Sequence, residues 1–202
     1  MCKELKGICT KKTVMEITDE LVNAQDKFII LALFNGIMGE DMIELRELKV
    51  KDIDFKKNII NVAGREIEMD AKFATIAKEA IQQKTYIFQN SDSIHASEDY
   101  EINTDSEYVV RVKPTGKNNQ GLYSISYNGL RTRIRKMLES IDVKEITPQT
   151  LVTSGVIHQL LSIQPIWKQS EVSEQLSKLG YKLSARRIYV ILNKIVESYL
   201  SI

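Results

Sequence analysis

Residues 35–54 read NGIMGEDMIELRELKVKDID, and the fold class follows from this stretch. Asn35-Gly36 is the left-handed stop that ends a helix. Met42, Leu45 and Leu48 recur at helical spacing, so a second short helix follows and turns these residues inward. From KDIDF onward the apolar period changes to two, which predicts a strand. One residue is out of keeping. Met38 places a long apolar side chain in a loop bracketed by Gly36 and Gly39, where a polar group would be expected to be presented.

Upstream, EITDELVNAQ predicts a short helix capped by Thr18, with carboxylates in its first turn. DKFIILALF predicts a helix apolar on nearly all sides, hence a buried one. Downstream, NIINV and EIEM flank Ala63-Gly64-Arg65 as a hairpin, with Ile60, Val62, Ile67 and Met69 on one face. Helix period returns in DAKFATIAKEAI, where Phe73, Ile76, Ala77, Ala80 and Ile81 line one side. Residues 90–107 show little periodicity and read as a surface loop or insertion. EYVVRV reads as a strand. NGLRTRIRKMLESI is an amphipathic helix with Leu130, Ile134, Met137, Leu138 and Ile141 inward and arginines around the rest. Pro148 opens another helix through Leu161. A helix ending at Leu179 before Gly180, then one capped by Ser184, close the chain. The result is α+β, mainly helical, with a small antiparallel sheet.

Composition bounds the function classes. The chain has 202 residues, 43% hydrophobic and 27% charged, as expected of a globular protein. No apolar run is long enough to span a bilayer, and the start lacks the apolar core of a signal peptide. Cys2 and Cys9 make no disulfide framework, which makes the cytoplasm the default compartment. His95 and His158 lack ligand-spaced partners, so neither a metal nor any other cofactor is expected. Net charge is only +1, but it is unevenly distributed. Residues 85–110 hold six acids and no Lys or Arg, whereas 111–136 hold seven Lys or Arg and no acid. The basic block is a candidate phosphate-binding face.

The order of these motifs resembles the catalytic domain of tyrosine recombinases, the phage integrases. The carriers are NGIMGEDMIEL, KDIDF, the hairpin, the basic helix, ITPQTLVTSG, KLGY and a following tyrosine. The resemblance runs from about Glu16 to the C-terminus. It implies residues 16–202 as an integrase-like domain and 1–15 as an N-terminal arm or linker remnant. In that family a tyrosine attacks a DNA phosphate while two arginines neutralise the charge that builds, and a hairpin lysine protonates the leaving hydroxyl.

Set against the family pattern, the catalytic positions are degenerate. The first arginine falls on Met38. The His-x-x-Arg pair has become Gln149 and Val152, and the histidine after KLG is Tyr181. The hairpin base is Arg65, which cannot act as a proton donor near neutrality. Tyr189 stands one residue short of the nucleophile's usual spacing. Losing a single preorganised donor costs ~3–4 kcal/mol of transition-state stabilisation, and several are missing here. The resemblance therefore implies a DNA-binding protein without strand transfer, a phage or mobile-element regulator or repressor that binds double-stranded DNA. Arg65, Lys113, Lys117, Arg131, Arg133 and Arg135 are the expected contacts, joined by Lys182, Arg186 and Arg187 if the last two helices act as a helix-turn-helix. The alternatives are a protein-interaction module that forms a homo-oligomer through the C-terminal helix, and a recombinase with residual Tyr189 chemistry.

Overall fold

In the computed structural model, residues 8–88 and 98–200 are described, with side chains through Glu197. Cys2, Asp92 and His95 lie outside the described residues. The described chain is mainly helical, with a three-stranded and a two-stranded antiparallel sheet.

Helix α1 (Lys11–Glu20) starts earlier than the sequence suggests. Thr10, not Thr18, is the cap, accepting from the Thr13 amide at 3.1 Å. Thr18 is fully buried inside the helix and donates to the Val14 carbonyl at 2.7 Å. Cys9 is also buried, its amide donating to Ser154 Oγ at 2.8 Å. The division drawn at residues 15/16 therefore falls inside a packed helix.

Helix α2 (Ala24–Phe34) is the axis of the core, with every residue from Phe28 to Leu33 at most 1% exposed. Fully burying each large side chain is worth ~1.5–3 kcal/mol, so this helix contributes much of the folding energy. It packs against α1, α4, α5 and α6. The approach to α6 (Pro148–Ile163) is so close that a Cβ on Gly155 would overlap the Phe34 carbonyl oxygen.

After α2, the chain turns through Gly36 and Gly39, both at positive φ, into a tight turn and α3 (Ile43–Arg46). Asp41 and Met42 are consecutive non-glycine residues in left-handed geometry, φ 50° and 56°. Met42, only 2% exposed, anchors that strained turn in the core. The sheet comprises β1 (Ile53–Asp54), β2 (Ile59–Val62) and β3 (Arg65–Glu68), in that order. Ala63 and Gly64, both at positive φ, form the hairpin turn, and Arg65 pairs with Val62 as the first residue of β3. Asp70 caps α4 (Ala71–Gln82) through the Phe73 amide at 2.9 Å.

Two sequence expectations change here. Part of the acidic stretch is ordered, since β4 (Thr85–Tyr86) pairs with β5 (Tyr100–Glu101). EYVVRV is not a strand. It forms one bridge, Lys49 with Tyr108, while Val109 and Val110 are fully buried and Arg111 is 3% exposed. Helix α5 (Tyr127–Glu139) lies over this segment, capped by Ser126. Helices α7 (Gln169–Lys178) and α8 (Ala185–Leu200) form a second core with the end of α6, around Trp167, Val172, Leu176, Ile188 and Leu192.

Candidate nucleic-acid interface

The positions compared above with the recombinase pattern converge in part. Arg65, at the start of β3, donates from Nη2 to Glu44 Oε2 at 2.5 Å. The same carboxylate oxygen accepts the Met38 amide at 3.0 Å, so the loop that carries Met38 is tied to α3. The Met38 side chain itself packs on the main core. The Arg65 guanidinium also lies 5.7 Å from the centre of the Tyr181 ring. Tyr181 bridges elements in turn, its hydroxyl 3.1 Å from Gln159 Oε1 and 3.4 Å from the Asn35 carbonyl.

Two glycines make this closure possible. A Cβ on Gly36 would run into the Tyr181 ring, and one on Gly180 would strike the Arg65 side chain. The centre is consequently filled. Arg65 and Glu44 keep 16% and 14% side-chain exposure, and together they carry no net charge. Burial raises the Tyr181 phenol above its ordinary pKa, against the opposing pull of Arg65 and the Gln159 bond.

The other degenerate positions stand apart from this clasp. Val152 is buried in the main core, and Gln149 bonds to Thr153 one turn along α6 at 3.4 Å. Tyr189 is half-buried on α8 against the second core, and its hydroxyl makes no hydrogen bond among the described residues. The apolar face of α8 is turned to α6 and α7 of its own chain, with Ile188 and Leu192 each 1% exposed.

The basic block divides. Lys113, Lys117, Arg131, Arg135, Lys182, Arg186 and Arg187 are exposed. Arg135 makes only an i,i+4 pair with Glu139 at 3.3 Å, which is worth little. Arg133 does not join them. It sits on the inner side of α5, where Nε donates to Asp26 Oδ1 at 2.6 Å and Nη1 reaches the Arg111 carbonyl at 2.9 Å. Its guanidinium lies 4.5 Å from the centre of the Tyr86 ring, and the Tyr86 hydroxyl donates to Asp26 Oδ2 at 2.7 Å. Burial works against the charged guanidinium, but Asp26 outweighs it and holds the pKa above the ordinary arginine value. Arg111 is also interior, its Nη1 donating to the Ile81 carbonyl at 2.6 Å.

Asp26, Glu44 and Gln159 are the site residues that the sequence reading did not single out. A signal existed for Asp26. An acid within a helix that is apolar on all sides must find a cation.

A helical domain with a small hairpin sheet, a turn-borne clasp at residues 38, 44 and 65, and a basic helix is a tyrosine recombinase-like catalytic domain. In keeping with this, the chain superposes on the crystal structure of XerA recombinase with a TM-score of 0.62 at 16% identity, over 96% of this chain and 62% of that one. The family is narrower than that class. Residues 8–197 match the model of the MrpR C-terminal catalytic domain, and the chain belongs to that family. It is also 24% identical over 158 residues to the SPbeta prophage-derived uncharacterized protein YopR of Bacillus subtilis (strain 168). That match takes in 74% of this chain and 48% of YopR, so the chain spans about half the length of this relative. Among the described residues, no helix is long and apolar enough to cross a membrane.

Proposed function

We propose that this chain is a double-stranded DNA-binding regulator that uses a tyrosine recombinase-like fold without strand transfer. The observation that carries the DNA half of this reading is α5. Arg133 fastens the helix to Asp26 on α2, which leaves Arg131 and Arg135 on the outward face, and Lys113 and Lys117 are exposed as well. A helix so held presents arginines at fixed spacing, the condition for bidentate contact with guanine edges or phosphates. The filled clasp supports the other half, because Met38 supplies no cation and Arg65 is already paired. A relative from a prophage supports a mobile-element setting.

The test is selection of genomic fragments by the purified protein, followed by titration of the enriched fragment at several salt concentrations. A defined sequence with a steep salt slope is expected. Arg131→Ala with Arg135→Ala should weaken that binding by ~1–3 kcal/mol and flatten the slope. No enrichment, or unchanged affinity in the double variant, refutes α5 as the reader. A covalent protein–DNA adduct that vanishes in Tyr189→Phe would refute the absence of chemistry.

A further inference from the structure

A cavity of about 700 Å³ lies beneath α5, between the β4–β5 hairpin and the segment that follows Arg111. Small-molecule sites typically span ~300–1,000 Å³. The lining carries five cations, Arg111, Lys113, Lys117, Arg133 and Lys136, against two carboxylates, Asp26 and Glu139. The cations differ in kind. The three lysines are exposed, whereas Arg111 is 3% exposed and the Arg133 side chain 10%.

Of the two buried guanidiniums, Arg133 is ion-paired, to Asp26. Arg111 meets a neutral carbonyl instead, and burial pulls its pKa down. Arg111 Nε and Arg133 Nη2 are buried without a hydrogen-bond partner among the described residues. Buried cations ordinarily carry a counter-charge, and buried donors an acceptor. The lining therefore has a surplus of positive charge, and both of its buried arginines keep a donor that no described residue satisfies.

Part of its remaining lining is aromatic, beside Ile87, Val112, Ile125 and Met137. Tyr86 and Tyr100 stack at 5.1 Å, and Phe88 meets Tyr86 edge-on at 5.3 Å. A bare inorganic anion would leave these rings uncovered, and a duplex is too wide to reach arginines that are nine-tenths buried. We propose that the cavity binds a small organic anion, with an apolar or planar body against Tyr100 and Phe88 and a carboxylate or phosphate turned toward Arg111 and Arg133. Lys113 and Lys136 at the rim draw the ligand in. The cavity shares Lys113 and Lys117 with the face proposed for DNA, so the test is made without DNA.

The probe is anilinonaphthalene sulfonate, an aromatic anion, titrated by fluorescence into the DNA-free protein. Its uncharged counterpart phenylnaphthylamine serves as control. Saturable binding of one sulfonate dye per chain is expected, with the neutral dye at least roughly tenfold weaker. The guanidinium resonances of Arg111 and Arg133 should shift with the same midpoint. Lys113→Glu with Lys136→Glu alters only exposed side chains; it should leave the melting temperature unchanged and weaken the sulfonate dye by roughly tenfold or more. Equal binding of the two dyes, unmoved arginine signals, or wild-type affinity in the double variant would each overturn the proposal.

Discussion

Asp26→Asn is the sharpest perturbation of this fold, because it is nearly isosteric and removes one charge. Asp26 and Arg133 retain 2% and 10% side-chain exposure at 2.6 Å separation, so water screens the pair little. Without the carboxylate charge, the Arg133 guanidinium stays buried beside a neighbouring buried Arg111, and the Tyr86 hydroxyl loses a charged acceptor. Breaking a buried pair by removing one partner costs ~3–5 kcal/mol, a large share of a domain's stability. Urea denaturation followed by far-ultraviolet circular dichroism reads this directly. The companion variant, Asp26→Leu with Arg133→Met, removes both charges and should lie much closer to wild type, giving a coupling of several kcal/mol in the double-mutant cycle. A loss below ~1 kcal/mol in Asp26→Asn, or additive effects in the cycle, would refute the view that this pair fixes α5 to the core.

Other perturbations test the rest. Gly155→Ala drives a methyl group into the Phe34 carbonyl and should cost ~3 kcal/mol or more by parting α2 from α6, read as a lowered denaturation midpoint. Glu44→Gln leaves Arg65 without its anion in a site 14–16% exposed and should cost ~1.5–3 kcal/mol, with release of the Met38 loop visible as faster amide exchange. Burial and the nearby Lys11 charge hold the His158 imidazole below its ordinary 6.5. The unfolded chain thus takes up that proton first. Its contribution is complete above 6.5 and is lost as pH falls toward the lower folded-state value. Melting temperatures across this range should fall on acidification, less so in His158→Asn.

Much of the architecture is legible in the chain because local and tertiary preferences agree. The alternation around Ala63-Gly64 fixed a hairpin whose turn residues do adopt positive φ. The apolar spacing of α4 and α5 matches their buried faces. Failures arise where tertiary contacts override local pattern. EYVVRV has strand composition, yet its buried residues face a helix core and gain only one bridge. Thr18 looked like a cap because acids follow it, but it lies inside a helix that Thr10 begins. The alternation in RTRIR looked like a uniformly solvated face. Successive arginines two apart point to opposite sides of a helix, so Arg133 turned inward while Arg131 and Arg135 did not. The clasp was half visible: the sequence marked Met38, Arg65 and Tyr181, but gave no means of knowing that Glu44 would join them.

The Glu44 carboxylate has one further consequence. It ties a loop amide to a strand cation, and Tyr181 carries the connection onward to the turn between α7 and α8. An arginine placed at position 38 would enter as a second claimant on an acid already engaged. Where it paired with Glu44 it would compete with Arg65, whose bond cross-links segments far apart in the chain. A cation at position 38 and the Arg65 cross-link would draw on the same acid. One carboxylate thus joins a loop, a strand and, through Tyr181, a distant turn.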